Sequence, residues 1–142
     1  MNIIRKWLGK PGVVFSSTSI TNKELRDLLH SRFPSAQVWL SDGDYRLCSG
    51  QDMDKILEAD DTNKGVYKAD TFDCDDFAYR LMGQLCIPEY SDLAFGIVWT
   101  DLHAMNVFVD NSRQVWFLEP QSDERKLALD TWQGSKVLLV VV

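Results

Sequence analysis

Cys74 stands in "TFDCDDFAYRLMGQL", residues 71–85, a single thiol between Asp73 and Asp75 just where apolar residues begin to recur at three and four. A thiol at a helix N-terminus can act as a nucleophile, because partial positive charge and unpaired backbone N–H groups stabilise the thiolate. The same position suits a cysteine buried for packing alone. Asp73, Asp75 and Asp76 would also raise the thiol's pKa unless a metal ion or an imidazolium screens them. Two histidines can supply an imidazole. His30 falls on the polar flank of an amphipathic stretch and reads as a solvated surface residue. His103 opens the β-like run "HAMNVFVD", and the next run, "QVWFLEP", carries Glu119 near its end.

Register makes this pairing specific. If Asp110, Asn111 and Ser112 form a three-residue turn, Val109 opposes Arg113, Val107 opposes Val115, Met105 opposes Phe117 and His103 opposes Glu119. A two-residue turn would put His103 and Glu119 on opposite faces, so the pairing needs odd loop parity or a bulge. The plainer alternative is a strand-end histidine bound to backbone and a surface glutamate. Cysteine on a helix start, histidine on a strand and a polar orienter on the next strand is the papain-like order: a thiolate attacks a carbonyl, the imidazole shuttles the proton, and a third group fixes the imidazole.

"DTFDCDD" adds four carboxylates, Asp70, Asp73, Asp75 and Asp76, within seven residues. Hard divalent cations favour several carboxylate and carbonyl oxygens, so calcium, or manganese in its place, is the expected cofactor. Helical spacing sets Asp73 and Asp76 one turn apart and points Asp75 away, and the run is not an EF-hand loop. The bland reading is that carboxylates simply favour a helix N-terminus.

Elements to position these groups are visible along the chain. In "ITNKELRDLLHSRF" Thr21 is a cap, Glu24 completes a capping box, and Leu25, Leu28, Leu29 and Phe33 follow at helical spacing. After Pro34, "AQVWLS" and "YRLCS" read as short strands around the turn "SDGD", and "GQDMDKILEAD" as a second helix. "DDTNKGVYKAD" is a loop leading to the cysteine helix, which ends before Pro88. "LAFGIVWT", "HAMNVFVD", "QVWFLEP" and "KVLLVVV" are β-branched and aromatic runs that predict an antiparallel sheet. Trp99 and Trp116 read as core, with Trp99 able to wall a cleft, and Asn106 faces away from His103.

Composition sets the limits. With 142 residues and 45% hydrophobic content the chain can bury one core, so a single domain over 1–142 is expected. No apolar run spans a membrane, and the apolar part of "MNIIRKWLGKPG" is too short for a signal peptide, which makes a soluble, cytoplasmic chain the default expectation. A net charge of −6 argues against nucleic acid as a partner. Cys48, Cys74 and Cys86 match neither a CxxC motif nor a zinc knuckle and read as reduced thiols.

"DCDDFA", "HAMNVFVD" and "WFLEPQSD" together resemble the papain-like protease domain that follows the lectin domain in Marasmius-type fungal agglutinins, and its small standalone relatives. The resemblance covers residues 67–123. It implies an α+β, papain-like fold in which N-terminal helices, with the cysteine on a helix start, pack against a C-terminal antiparallel sheet. It also implies a calcium- or manganese-activated cysteine peptidase acting on peptide or protein, with Cys74 as nucleophile, His103 as base and Glu119 as orienter. Asp70, Asp73, Asp75 and Asp76 are the implied metal residues. Two departures stand out. Lys68 occupies the place of the family's oxyanion glutamine, so a backbone N–H at Cys74 and Gln121, or another polar group, must replace it. The lectin domain is missing, so the resemblance carries over no carbohydrate recognition. A transglutaminase- or amidase-like acyl transferase would use the same residues, and a catalytically silent binding module, such as a phage- or pathogen-type effector, is the alternative outside catalysis.

Overall fold

The computed structural model describes residues 18–142. The N-terminal "MNIIRKWLGKPG" lies outside the described residues. Helix α1 (Asn22–Arg32) follows the short strand β1 (Ser19–Thr21) and starts as its sequence requires. The Thr21 hydroxyl accepts the Glu24 N–H at 3.2 Å, and the Glu24 carboxylate accepts the Thr21 N–H at 2.9 Å. Strands β2 (Gln37–Trp39) and β3 (Asp44–Arg46) flank "SDGD" but do not pair with each other. Ser49 caps α2 (Gly50–Ala59), a 3-10 turn covers Thr62–Lys64, and α3 is Cys74–Leu85. The rest is mainly strand: β4 (Phe95–Thr100), β5 (Ala104–Val109), β6 (Val115–Glu119), β7 (Glu124–Lys126) and β8 (Val137–Val141), with a 3-10 turn at Thr131–Gln133.

Six strands form one sheet in the order β2-β8-β4-β5-β6-β7, and β1 pairs with β3 in a second, two-stranded sheet. This corrects the expected architecture. The sheet is not confined to the C-terminal half, because β2 joins it from the N-terminal half and lies parallel to β8. Among the described residues the α-helices are three short elements of 11, 10 and 12 residues set around a mostly β framework, not a papain-like helix-plus-sheet arrangement.

Both sheet faces are covered. Met105, Val107 and Phe117 pack with Leu25, Leu29 and Phe33 of and just after α1. Phe95, Phe108 and Leu118 pack with Met53, Ile56 and Leu57 of α2 and Leu81 and Leu85 of α3. Every residue of β5 is therefore buried, which is why its sequence reads as a nearly continuous apolar run. Asn106 is the polar exception. Fully buried, it donates from Nδ2 to Ala78 O and Gly96 O and so ties α3 to β4.

Candidate functional site

The β5–β6 register differs from the expected one by two residues. Val109 opposes Val115 and Val107 opposes Phe117, so the loop has five residues, not three. Asp110 builds it: Oδ1 accepts from Ser112 N and Gln114 N, Oδ2 accepts from Trp116 Nε1, and Arg113 takes a φ of 61°. A slip of two preserves side-chain alternation. His103 and Glu119 therefore still meet, diagonally, with Nε2 2.7 Å from Oε2 and both side chains 7% exposed.

Three donors converge on Glu119. Besides His103, Gln133 Nε2 lies 3.3 Å from Oε2, and the Gln121 backbone N–H lies 3.3 Å from Oε1. Because a carboxylate only accepts, His103 carries its proton on Nε2 and leaves Nδ1 as the free acceptor of the neutral ring. Gln121 thus supports Glu119 through its backbone. The chain around His103 is clamped as firmly. The Thr100 hydroxyl donates to Gln133 O and accepts from Leu102 N and His103 N, while the Asp101 carboxylate accepts from Ser135 N, Lys136 N and the Ser135 hydroxyl. Those bonds hold Asp101 below the usual carboxylate range. Between the two loops sits Gly134, at φ 112°, where a Cβ would come within 2.5 Å of Asp101 Oδ1. Trp132, 56% exposed, meets His103 edge-on with ring centroids 4.8 Å apart.

Cys74 begins α3, as expected, and is half-buried and unpaired. Helix α3 runs alongside β5 in the same direction, since Ala78 meets Asn106 and, further on, Leu81 and Leu85 meet Phe108. One helical turn back from Ala78 (about 6 Å) lies Cys74, and three strand residues back from Asn106 (about 10 Å) lies His103, so both sit toward one end of the sheet. Thr100 and His103 close the β4–β5 turn, the Thr100 N–H donating to His103 O at 2.8 Å. No hydrogen bond joins the Cys74 thiol to His103 among the described residues. Cys48 is buried, which pushes its thiol up to about 12, and Cys86 is exposed.

The four aspartates do not converge as a set. Asp73, Cys74 and Asp75 bring one ligand atom each to within 4.8 Å of one another, so Asp75 does not point away. Asp76 instead turns back to accept the Asp73 N–H at 3.2 Å, and the Asp70 backbone N–H donates to Asp73. A hydrogen bond from the protonated Asp75 carboxyl to Asp73, and after it burial, hold Asp75 above its usual range. Two carboxylates and a soft thiol do not make the oxygen cage that calcium takes. Lys68 is exposed on the turn before α3. Trp99 packs its ring 5.9 Å from Tyr79 of α3.

The sequence reading missed Gln133 and Trp132. Their signal was present in "DTWQ": the Asp130 N–H donates to Gln133 Oε1 at 2.9 Å, the backward half of a capping box that aims the Gln133 amide at Glu119.

No protein-family model matches the chain, and neither does any curated protein sequence. Solved structures do match. A complex of PSL1a with E64 superposes with a TM-score of 0.74 at 23% identity over 87% of this chain. Polyporus squamosus lectin, bound to the human-type influenza-binding epitope Neu5Acα2-6Galβ1-4GlcNAc, superposes with a TM-score of 0.70 at 22% identity over 87% of this chain. The chain spans about half the length of each, 50% and 49% respectively. It therefore has a lectin- or agglutinin-like fold. This corrects the functional expectation: the matched structures are of a lectin, and one is bound to a glycan epitope. The cysteine peptidase, its acyl-transferase and silent-effector alternatives, and the peptide or protein substrate are set aside.

Proposed function

We propose that this chain is a carbohydrate-binding module of agglutinin type. The observation that carries the reading is the likeness to lectin structures over 87% of the chain. Trp132 gives that reading a place. A hexose presents an apolar C–H face and a rim of hydroxyls; an exposed indole covers the first, and neighbouring hydrogen-bonding groups meet the second. Trp132 is such an indole, held at the rim of the buried His103–Glu119–Gln133 cluster. The net charge of −6 opposes anionic ligands, so neutral saccharides should bind at least as well as sialylated ones. The test is calorimetric titration with Galβ1-4GlcNAc, with and without a terminal sialic acid. Binding that falls about tenfold or more in Trp132→Ala is expected. No binding to either sugar overturns the reading.

A second reading concerns the thiol and rests on the His103–Glu119 pair, which leaves Nδ1 as a proton acceptor at the same end of the sheet as the N-terminus of α3. It makes Cys74 a nucleophilic thiol, His103 its base and Glu119 the residue that positions the imidazole. Iodoacetamide should then modify Cys74 faster than exposed Cys86, and His103→Ala should remove the difference. Equal rates at the two cysteines would sink it.

A further inference from the structure

A cleft of about 390 Å³ opens between the end of α1, strand β6 and the segment 128–137 that leads into β8. Its walls are apolar: Phe33, Phe117 and Val137 are buried beneath it, Leu129 flanks them, and the two phenyl rings lie 5.5 Å apart. Its charge is one-sided. In a chain with 21 acidic and 15 basic residues, the lining holds Arg32 and Lys136 and no carboxylate. Arg46, Arg113, Arg125 and Lys126 all pair with carboxylates, whereas Arg32 and Lys136 do not among the described residues. The carboxylates that touch this loop are engaged elsewhere: Asp101 accepts the Ser135 and Lys136 backbone N–H groups, and Asp130 accepts from Lys126 Nζ at 2.8 Å. The C-terminus of α1 contributes about half a negative charge here, which two cations outweigh.

We propose that this cleft binds a small organic carboxylate with a flat apolar body, the carboxylate on Arg32 and Lys136 and the body against Phe33, Phe117, Leu129 and Val137. The guanidinium is set up for this. Its Nη2 donates to Leu127 O at 2.5 Å, and its carbon lies 5.2 Å from the Phe33 ring centroid and 5.6 Å from that of Phe117. Those contacts hold Arg32 at the edge of the apolar wall, and a guanidinium has further N–H donors for a carboxylate. Lys136 adds a second point charge from across the cleft. The volume is at the small end of ligand pockets, which suits a ring-sized body. Trp132 is not among the lining residues, so this site stands apart from the saccharide reading and does not depend on it.

The experiment titrates the full chain with sodium benzoate and follows backbone amide signals by NMR. Benzamide, acetate and inorganic phosphate are the comparison ligands: the first lacks the charge, the second the body, and the third keeps only the charge. Benzoate should shift the amides of Phe33, Leu129 and Val137 and leave those of Met53 and Ile56 in place. The other three should bind about tenfold more weakly. Arg32→Gln should weaken benzoate about tenfold and Lys136→Gln about threefold. Arg32→Lys should fall between wild type and Arg32→Gln, because it keeps a charge but not the fork. Arg32 and Lys136 are exposed, so the variants should fold, as circular dichroism would show; if Arg32→Gln does not, Lys136→Gln decides. No shift with benzoate overturns the site. So does benzamide or phosphate binding as tightly as benzoate, or a benzoate affinity that the charge substitutions leave unchanged.

Discussion

The two loops around His103 and the first turn of α3 lie toward one end of the same sheet yet are built on opposite plans. On the sheet side the polar groups hold one another: Glu119 collects three donors, Thr100 and Asp101 bind the facing loop, and His103 is 7% exposed in its side chain. On the helix side Asp73 and Asp75 converge on each other beside a half-buried thiol, with backbone N–H groups as their main support. The first is a rigid network in low dielectric, where losing one partner is expensive. The second is solvated, so its charges are screened and individually weak. Substitutions should separate the two by size.

Gly134→Ala should cost most. It combines a backbone at φ 112°, which L residues rarely adopt, with a Cβ 2.5 Å from Asp101 Oδ1 and 2.6 Å from Thr100 Oγ1. About 2–3 kcal/mol of stability should be lost, read as the shift in urea midpoint. An unchanged midpoint would mean that the clamp between the two loops is not rigid.

Glu119→Gln should come next, at about 1–2 kcal/mol. An amide replaces one acceptor by a donor, and three donors already point at this carboxyl, so one of them must lose its partner. His103 would also lose the charge that keeps its proton on Nε2. The imidazole tautomer, read from the ring nitrogen NMR shifts, should then no longer be fixed. A ring that keeps its proton on Nε2 would break the picture of Glu119 as the positioning residue.

A pH titration sharpens the comparison. With its carboxyl near 6, folded Asp123 holds a proton that the unfolded chain releases near 4. Between those values the folded chain binds more protons, so stability should fall as pH rises from about 4 to about 6. Asp60, Asp54, Glu58 and Lys64 are the charged groups facing it. Asp123→Asn should flatten the slope. A slope that persists unchanged would assign the effect to another carboxyl.

Local signals were legible in the sequence and long-range ones were not. Thr21, Glu24 and the leucine spacing of α1 declared that helix, and Cys74 fell on the first residue of α3 as its pattern required. The His103–Glu119 pair was legible despite a wrong register, because a slip of two leaves parity intact. Three donors gathered by Asp110 lengthened the loop, and nothing in "DNSRQ" announced that Trp116 would be one of them. Strand β2 carries no mark of its parallel partner β8, about a hundred residues on, and "ERK" has no β signature at all. Without those elements the remaining β runs read as a C-terminal antiparallel sheet behind N-terminal helices.

The smallest effect should come from Asp75→Asn, on the solvated side. At neutral pH two carboxylates within 4.8 Å of each other and of a thiol repel, and the hydrogen bond with Asp73 raises Asp75 because one shared proton relieves that repulsion. An amide at position 75 supplies the donor permanently. The substitution should therefore stabilise slightly, by no more than about 0.5 kcal/mol, as expected for a surface change. Added salt should shrink the difference, since mobile ions already screen exposed charges. A destabilised Asp75→Asn chain would show that the two carboxyls hold each other in place through their shared proton and do not merely repel.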